Sequence, residues 1–356
     1  MTTAFSSSLA FSVLDLAPIA AGTTPAETFG RSLDLAQQVE QLGYTRFWLS
    51  EHHNMVSVAS SAPVVLIGYI AGGTTTLRVG SGGVMLPNHT PLVVAEQFGT
   101  LASLYPGRID LGLGRAPGSD QVTAQAIRGS RFGGAQDFPR DIQQLQTYFS
   151  PANATSTVRA IPGEGLDIPI YVLGSSTDSA YLAAALGLPY AFASHFAPAQ
   201  LLLAVEIYRQ NFRPSAQLAA PYVIACVNVV AADTDAQAQW LATSLQQFML
   251  GVIKGRLAPL QPPVESMHAL WEPAQQHAVE QMLAYAFVGS KATLRRGLEA
   301  FVAQTEVNEI MAISNIFSHE ARVYSYELLA EVLRGTPHAQ PEAGLISAEG
   351  PSGSGQ

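Results

Sequence analysis

The sequence predicts an α/β barrel of eight strands, each followed by a helix. Three observations carry that prediction. Eight short runs are almost continuously apolar, as strands buried on both faces must be. Amphipathic segments with helical periodicity separate them. Glycine-rich and polar clusters sit just after the runs, at the end where such barrels keep their sites.

The first strand is Phe11–Ala17. Thr24, Pro25 and Glu27 then form a capping box with proline at the first helical position. Phe29, Leu33, Ala36, Val39 and Leu42 follow at spacings of three and four, and Gly43 stops the helix. Arg46–Ser50 is the second strand and Ala62–Ile70 the second helix. Leu77–Leu86 is the third strand, interrupted by Gly80, Gly82 and Gly83. Thr90 and Pro91 open a helix through Ala95, Phe98, Leu101 and Leu104. Arg108–Gly114 is the fourth strand, and Pro139–Phe149 is helical. Ser150–Asp167 lacks periodicity and is expected as a loop or small hairpin.

Ile168–Leu173 is the fifth strand, with a helix over Thr177–Leu186. Tyr190–Ala193 is the sixth, followed by the helix Ala199–Asn211. Tyr222–Ala231 is the seventh, followed by Asp235–Leu250. The stretch 251–287 is ambiguous, broken by Pro259, Pro262, Pro263 and Pro273, and counts as an insertion before the last strand. Lys291–Gln304 is a helix, Glu309–Ile313 the eighth strand and His319–Leu333 the final helix. The domain expectation is therefore one barrel over residues 1–335, with 336–356 a disordered tail of Pro, Gly, Ser, Ala and Glu.

Composition narrows the function. The chain has 356 residues, of which 13% are charged and 48% hydrophobic, with a net charge of −9. Soluble proteins average about 25% charged residues. So few charges on so long a chain imply a large core, a buried oligomer interface, or both. The acidic balance argues against nucleic acid. The longest apolar stretch, Ala59–Ala71, is too short for a membrane span and contains Ser60, Ser61 and Pro63. Cys226 is the lone cysteine, and the N-terminus shows no export signal, so the expected location is the cytoplasm. Lys254 and Lys291 are the only lysines, which disfavours Schiff-base chemistry.

The residues after the strands carry the chemistry. Glu51, His52, His53 and Asn54 follow the second strand. Titratable groups at the rim of an apolar barrel suit acid–base or orienting work, since histidine titrates near neutrality. Their spacing does not suit zinc, so no metal is expected. Gly82 and Gly83 allow a flat ligand to approach the backbone; a barrel-closing bulge is the plainer use. The fourth strand ends in Gly112, Gly114, Arg115 and Gly118, a fixed cation among glycines that suits phosphate. Neither a Walker pattern nor a dinucleotide fingerprint is present. Ser175, Ser176, Thr177 and Ser179 open a helix after the fifth strand, an arrangement that binds anions as readily as it caps. No nucleophile elbow is present, which disfavours a serine hydrolase.

With these motifs in order, the chain resembles the bacterial-luciferase-like flavin monooxygenases, in particular their stand-alone oxidoreductases. The resemblance runs from about Phe11 to Leu333. It is strongest over Phe47–Gly118, and it includes Ile170–Pro189 and Ser318–Leu329. It implies a barrel binding FMN, received in reduced form from a separate flavin reductase. It places the family's catalytic histidine on His52 and its non-proline cis peptide on Gly82–Gly83. Arg115 falls on the phosphate-binding arginine, and Ser176 and Ser179 on the phosphate-binding hydroxyls, with Ser175 beside them. The ring-stacking region falls near Ala193, Ser194 and His195. Ser175 and Ser194 replace the luciferase Glu and Trp, and the long luciferase loop is not recognisable in 251–287, which argues against light emission. The implied reaction oxidises a small aldehyde or other apolar carbonyl with dioxygen, His52 serving as acid–base. Glu51 or a nearby carbonyl would fix the His52 tautomer. The implied assembly is a homodimer through the apolar helices 62–71 and 92–104. A deazaflavin-dependent hydride transferase, a non-catalytic flavin-binding protein and a structural component without ligand are the competing readings.

Overall fold

The computed structural model describes residues 9–116, 118–129 and 134–334. The expected tail from Thr336 lies outside the described residues. The chain runs β1 (Ala10–Asp15), α1 (Pro25–Gln41), β2 (Arg46–Leu49), α2 (Pro63–Gly72), β3 (Arg78–Ser81), β4 (Val84–Met85), α3 (Pro91–Leu104) and β5 (Ile109–Gly114). Helices α4 (Gln121–Arg128) and α5 (Phe138–Phe149) follow. Then come β6 (Ile170–Gly174), α6 (Thr177–Leu186), β7 (Tyr190–Phe192), α7 (Leu201–Asn211), β8 (Val223–Ala231) and α8 (Asp235–Ile253). The chain continues through α9 (Pro273–Met282), β9 (Ala286–Gly289), α10 (Lys291–Thr305), β10 (Glu309–Ile313) and α11 (His319–Arg334).

All strand pairs are parallel, in the order β10-β1-β2-β3-β5-β6-β7-β8. The pairing of β8 with β10, from Ile224↔Glu309 to Asn228↔Ile313, closes the ring. This is the eight-stranded barrel that the sequence predicts. The third barrel strand is split. β3 and β4 both pair with β5, and the peptide between Gly82 and Gly83 that separates them is cis.

The structure decides two stretches that the sequence leaves open. Ser150–Asp167 holds no strand, only a short 3₁₀ turn at Pro151–Thr155. The ambiguous 251–287 is ordered, with α9 and a ninth pairing partner. β9 runs parallel to the distal half of β8, from Asn228↔Ala286 to Ala231↔Gly289. Its first three residues are only partly buried, so its apolar run is too short and too weak to stand out.

Helix α1 shows how tertiary contacts redirect an amphipathic face. Its capping box forms as expected, with Glu27 N–H donating to Thr24 Oγ1 at 3.2 Å and Thr24 N–H donating to Glu27 Oε2 at 2.7 Å. Its buried stripe, however, is Thr28, Ser32, Leu35, Ala36 and Val39. Ser32 is inside because it donates to Asp15 Oδ2 at 2.6 Å, and Asp15 is buried on β1 as the partner of Arg322 from α11. Phe29, Leu33 and Leu42 pack at the margin of the core.

Among the described residues, two of the three buried apolar clusters build the barrel itself, and the third packs α8 and α9 beside it. Of the two in the barrel, the larger lies between strands and helices, from Val13 and Phe47 through Phe98, Val172 and Tyr208 to Leu329. The smaller lies inside the barrel and contains Leu14, Trp48, Tyr171, Ala191, Ile224, Cys226, Met311 and Ile313. Below it, at the N-terminal ends of the strands, Arg46 bridges Asp110 at 2.7 Å and Glu309 at 2.8 Å. Burial works against the Arg46 charge, but the two carboxylates outweigh it and raise its pKa. The barrel is thus plugged at one end and available at the other.

Candidate active site

The cavity opens at the C-terminal ends of the strands. A chamber of about 230 Å³ is lined by residues that follow six different strands, which explains why no single motif describes it. Its floor and sides are apolar: Leu14, Trp48, Leu173, Ala191, Ile224 and Met311. At its other end stand Arg115, Ser175, Ser176 and Ser179. A second chamber of about 530 Å³ adjoins it, walled by Met55, Val56, Val58, Phe248, Met249 and Leu257 among others. Loop 52–58, the C-terminal part of α8, and Met282 of α9 build it. Ligand sites commonly occupy about 300–1,000 Å³, so the pair of chambers suits a cofactor and a substrate together.

His52 lies where the chambers meet. Its backbone N–H donates to Ser60 O at 2.9 Å, and its ring Nδ1 stands 3.4 Å from Gly118 O. That carbonyl favours a proton on Nδ1 and leaves Nε2 as the basic nitrogen. Burial lowers the His52 pKa and outweighs the opposing pull of the Gly118 carbonyl and of Glu51. Gly118 has φ +65°, and a Cβ there would lie 2.7 Å from Glu51 O, so glycine is required for this approach.

The open choice over the His52 tautomer falls to the carbonyl. Glu51, fully buried, is occupied elsewhere. It accepts from His53 Nε2 at 3.0 Å, His89 Nε2 at 2.9 Å and Met85 N–H at 3.1 Å. Burial raises its pKa, but these donors win and hold it below the ordinary carboxylate value. Glu51 therefore clamps the loop carrying His52 against the segment after β4. His89 and His53 are the structural members of the histidine set.

The residues expected at a phosphate do converge on one cavity. Arg115 follows β5 and Ser175, Ser176 and Ser179 follow β6, the neighbouring strand. Arg115 Nη1 lies 3.3 Å from Asp178 Oδ2. Both side chains are solvent-exposed, so this pair is weak and yields readily to a better anion. Ser176 is the N-cap of α6, and its own side chain makes no capping bond. Ser179 Oγ donates to Ser176 O at 2.7 Å and meets Tyr190 OH at 3.0 Å, fixing the first turn. Gly174 lies so close to Ser179 that any Cβ would collide with its hydroxyl.

Two expected cofactor residues stand back from the cavity. Ser194 is fully buried, and its hydroxyl donates to Cys226 O at 2.6 Å rather than lining the chamber. Gly83 packs against Gly112 O and Leu173, and of the glycine pair Gly82 alone lines the wall. Sequence reasoning missed Trp48, Ser50 and Met311, which look like ordinary strand residues. It also gave no individual role to His195, which lines both chambers although it follows β7 as His52 follows β2. Among the described residues no group of three or more His, Cys, Asp or Glu could hold a metal ion. No described helix is long and apolar enough to cross a membrane.

Comparison with known proteins fits this geometry. Residues 9–309 match the family described as luciferase-like monooxygenase. A luciferase-like monooxygenase of Escherichia coli strain K12 is 53% identical over 324 residues, 91% of this chain and 97% of its own length. The N-acetyl-S-alkylcysteine monooxygenase of Bacillus subtilis strain 168 is 30% identical over 328 residues, 90% of this chain and 97% of its own. Among solved structures, apo-MsnO8 superposes with a TM-score of 0.86 at 36% identity, covering 93% of this chain and 100% of its own. More distant structures share the fold alone. An FMN complex of the oxygenating constituent of 3,6-diketocamphane monooxygenase has a TM-score of 0.69 at 17% identity, covering 91% of this chain and 98% of its own. An F420-dependent secondary alcohol dehydrogenase has a TM-score of 0.67 at 13% identity, covering 92% and 99%. The chain belongs to the luciferase-like monooxygenase family.

Proposed function

We propose that this protein is a flavin-dependent monooxygenase that takes reduced FMN from a separate reductase and uses dioxygen to oxidise a small, apolar carbonyl compound in the cytoplasm. One observation carries the reading: a single cavity has an apolar floor at one end, an arginine with serines at a helix start at the other, and a neutral histidine at its junction with a second, mainly apolar chamber. FMN has the same polarity, a flat ring joined to a phosphate.

The residues present fit that group. Ser50 Oγ is a buried polar atom without a hydrogen-bond partner among the described residues, and its side chain lines the chamber that would hold the ring. Buried polar atoms left this way call for an explanation, and a ring bearing carbonyl and nitrogen edges supplies one. Arg115, Ser175, Ser176 and the first turn of α6 would hold the phosphate, because a helix N-terminus and a guanidinium both favour anions. Ser179 would hold that turn in shape. Trp48, Leu14 and Met311 would floor the ring.

Bound in reduced form, the flavin supplies the electrons that activate dioxygen. The protein's own contribution is placement, dryness and proton handling. The methionine and valine side chains of the second chamber would limit water beside the reacting centre once ligands fill it. His52, with Nδ1 turned to Gly118 O, keeps Nε2 free to accept a proton and return it. Among the described residues the second chamber shows no lysine or arginine, and its one carboxylate, Asp120, is taken up by Thr123 and Asn54, so the mainly apolar wall favours an uncharged molecule. Val65, Tyr69, Val93 and Leu104 are exposed on α2 and α3 and support a homodimer through that face.

Replacing Arg115 by Ala tests the cofactor assignment. FMN affinity falls about ten- to hundredfold, the worth of a charge-assisted hydrogen bond, while riboflavin, which has no phosphate, binds as before. Equal weakening of both ligands overturns the phosphate site. Titration with coenzyme F420 in parallel separates this reading from the deazaflavin alternative.

A further inference from the structure

Four residues line both chambers: Leu16, His52, His195 and Phe196. A molecule in one chamber and a molecule in the other meet between these side chains. Two of the four are apolar, and His52 already has a role. His195 has the chemistry to act there and has been given none.

Its surroundings hold it in place. Asn228, fully buried on β8, donates from Nδ2 to His195 O at 2.6 Å. The preceding Ser194 is tied to Cys226 O on the same strand at 2.6 Å. The His195 ring stands edge-to-face on Phe196, with centroids 4.8 Å apart and planes at 83°. Backbone and ring are therefore fixed, yet Nδ1 is buried without a partner among the described residues. A rigid imidazole that lines both chambers and keeps an unused hydrogen-bonding atom is arranged for a ligand. Burial and the neighbouring His52 depress its pKa to about 3, so the ring is uncharged at working pH and carries one N–H. A neutral imidazole donor can polarise a carbonyl without the cost of a buried charge, as the neutral histidine of triosephosphate isomerase does.

We propose that His195 is the residue that hydrogen-bonds the substrate's oxygen, holding a neutral ketone or aldehyde at the junction while His52 handles the proton. This rests on the reading above that the larger chamber receives the substrate. It adds a division of labour: one histidine orients by donating a hydrogen bond, the other exchanges protons. It also names the recognised feature, an uncharged oxygen acceptor on an apolar body.

The test uses cyclododecanone as probe and the infrared carbonyl stretch as readout, with FMN binding followed by fluorescence on the same samples. In the wild type the stretch of the bound ketone moves to lower frequency than in hydrocarbon. His195→Phe keeps a flat ring but no donor; it returns the stretch to the hydrocarbon position and weakens the ketone about tenfold, the worth of one such bond. His195→Asn restores the lowered stretch, and His52→Ala leaves it in place. His195→Leu repeats the measurement if the Phe variant does not fold. A stretch that does not move in the wild type, or that moves equally without His195, or that depends on His52 instead, overturns the proposal. Failure of the wild type to bind FMN overturns the cofactor reading, and the ketone stretch still decides the role of His195.

Discussion

The two ends of the barrel solve opposite problems with similar residues. At the N-terminal end Arg46, Arg78, Asp110 and Glu309 are packed together with Tyr171, Tyr222 and Trp48. Each carboxylate oxygen there has a donor. Asp110 takes Arg78, Arg46 and Trp48 Nε1, and Glu309 takes Arg46 and Tyr222 OH. At the C-terminal end Ser50 Oγ, His195 Nδ1, Asn228 Oδ1 and Asn315 Nδ2 are buried and unpartnered among the described residues. Buried polar atoms are nearly always satisfied in folded proteins. The contrast therefore separates the end that is complete without a ligand from the end that is not.

Mutations at the two ends should fail in different ways. The largest effect is on rate, at the open end. His52→Ala lowers substrate turnover about a hundred- to ten-thousand-fold, the usual worth of a general acid–base group. Its unfolding free energy stays within about 1 kcal/mol of wild type, because the ring has one long contact to lose. Steady-state oxygen uptake with reduced FMN and an aldehyde panel, run beside urea denaturation, measures both. Unchanged turnover removes His52 from the chemistry.

Arg46→Ala shows the converse. It strands Asp110 and Glu309, both fully buried, without their shared cation. Breaking a buried ion pair from one side costs about 3–5 kcal/mol. Urea denaturation should show that loss, while FMN affinity of the remaining folded protein is unaltered, since Arg46 does not line the cavity. A stability change below about 1 kcal/mol would mean that the floor is solvated rather than paired.

The same contrast explains what the sequence disclosed. The barrel was legible because its strands are buried on both faces, which leaves apolar runs that need no partner to be recognised. β8, nine residues long and buried throughout, is the clearest case. β9 was not legible, since it pairs with one half of β8 and is only partly buried. In the site, polar residues in an apolar context announce themselves, and His52, Arg115 and Ser176, which line the cavity, stand out that way. Trp48 and Met311 do not, because a flat apolar wall uses the same side chains as any core. Ser194 was misplaced for a related reason. A serine at a strand end suits a ligand or a backbone carbonyl equally well, and only Cys226 O decides between them.

The smallest effect is the one that most directly probes the unsatisfied end. His195 has its pKa depressed to about 3 by burial and by His52, against an ordinary histidine value near 6.5 in the unfolded chain. Below pH 6.5 the unfolded state takes up a proton that the folded state refuses. Stability from this group is thus fully present above pH 6.5 and declines as pH falls toward the folded value. Between pH 7.5 and 5.5 it amounts to about 1 kcal/mol. The carboxylates held low, such as Glu51, lose their contribution only in the more acid range, below the ordinary glutamate value. Urea denaturation of wild type and His195→Phe at a series of pH values in that window isolates the histidine. The wild type should weaken more steeply toward pH 5.5 than the variant, and parallel curves would show that His195 takes up its proton in the folded state. That result would remove the neutral donor from the junction and leave the open end of the barrel with a charge to be matched.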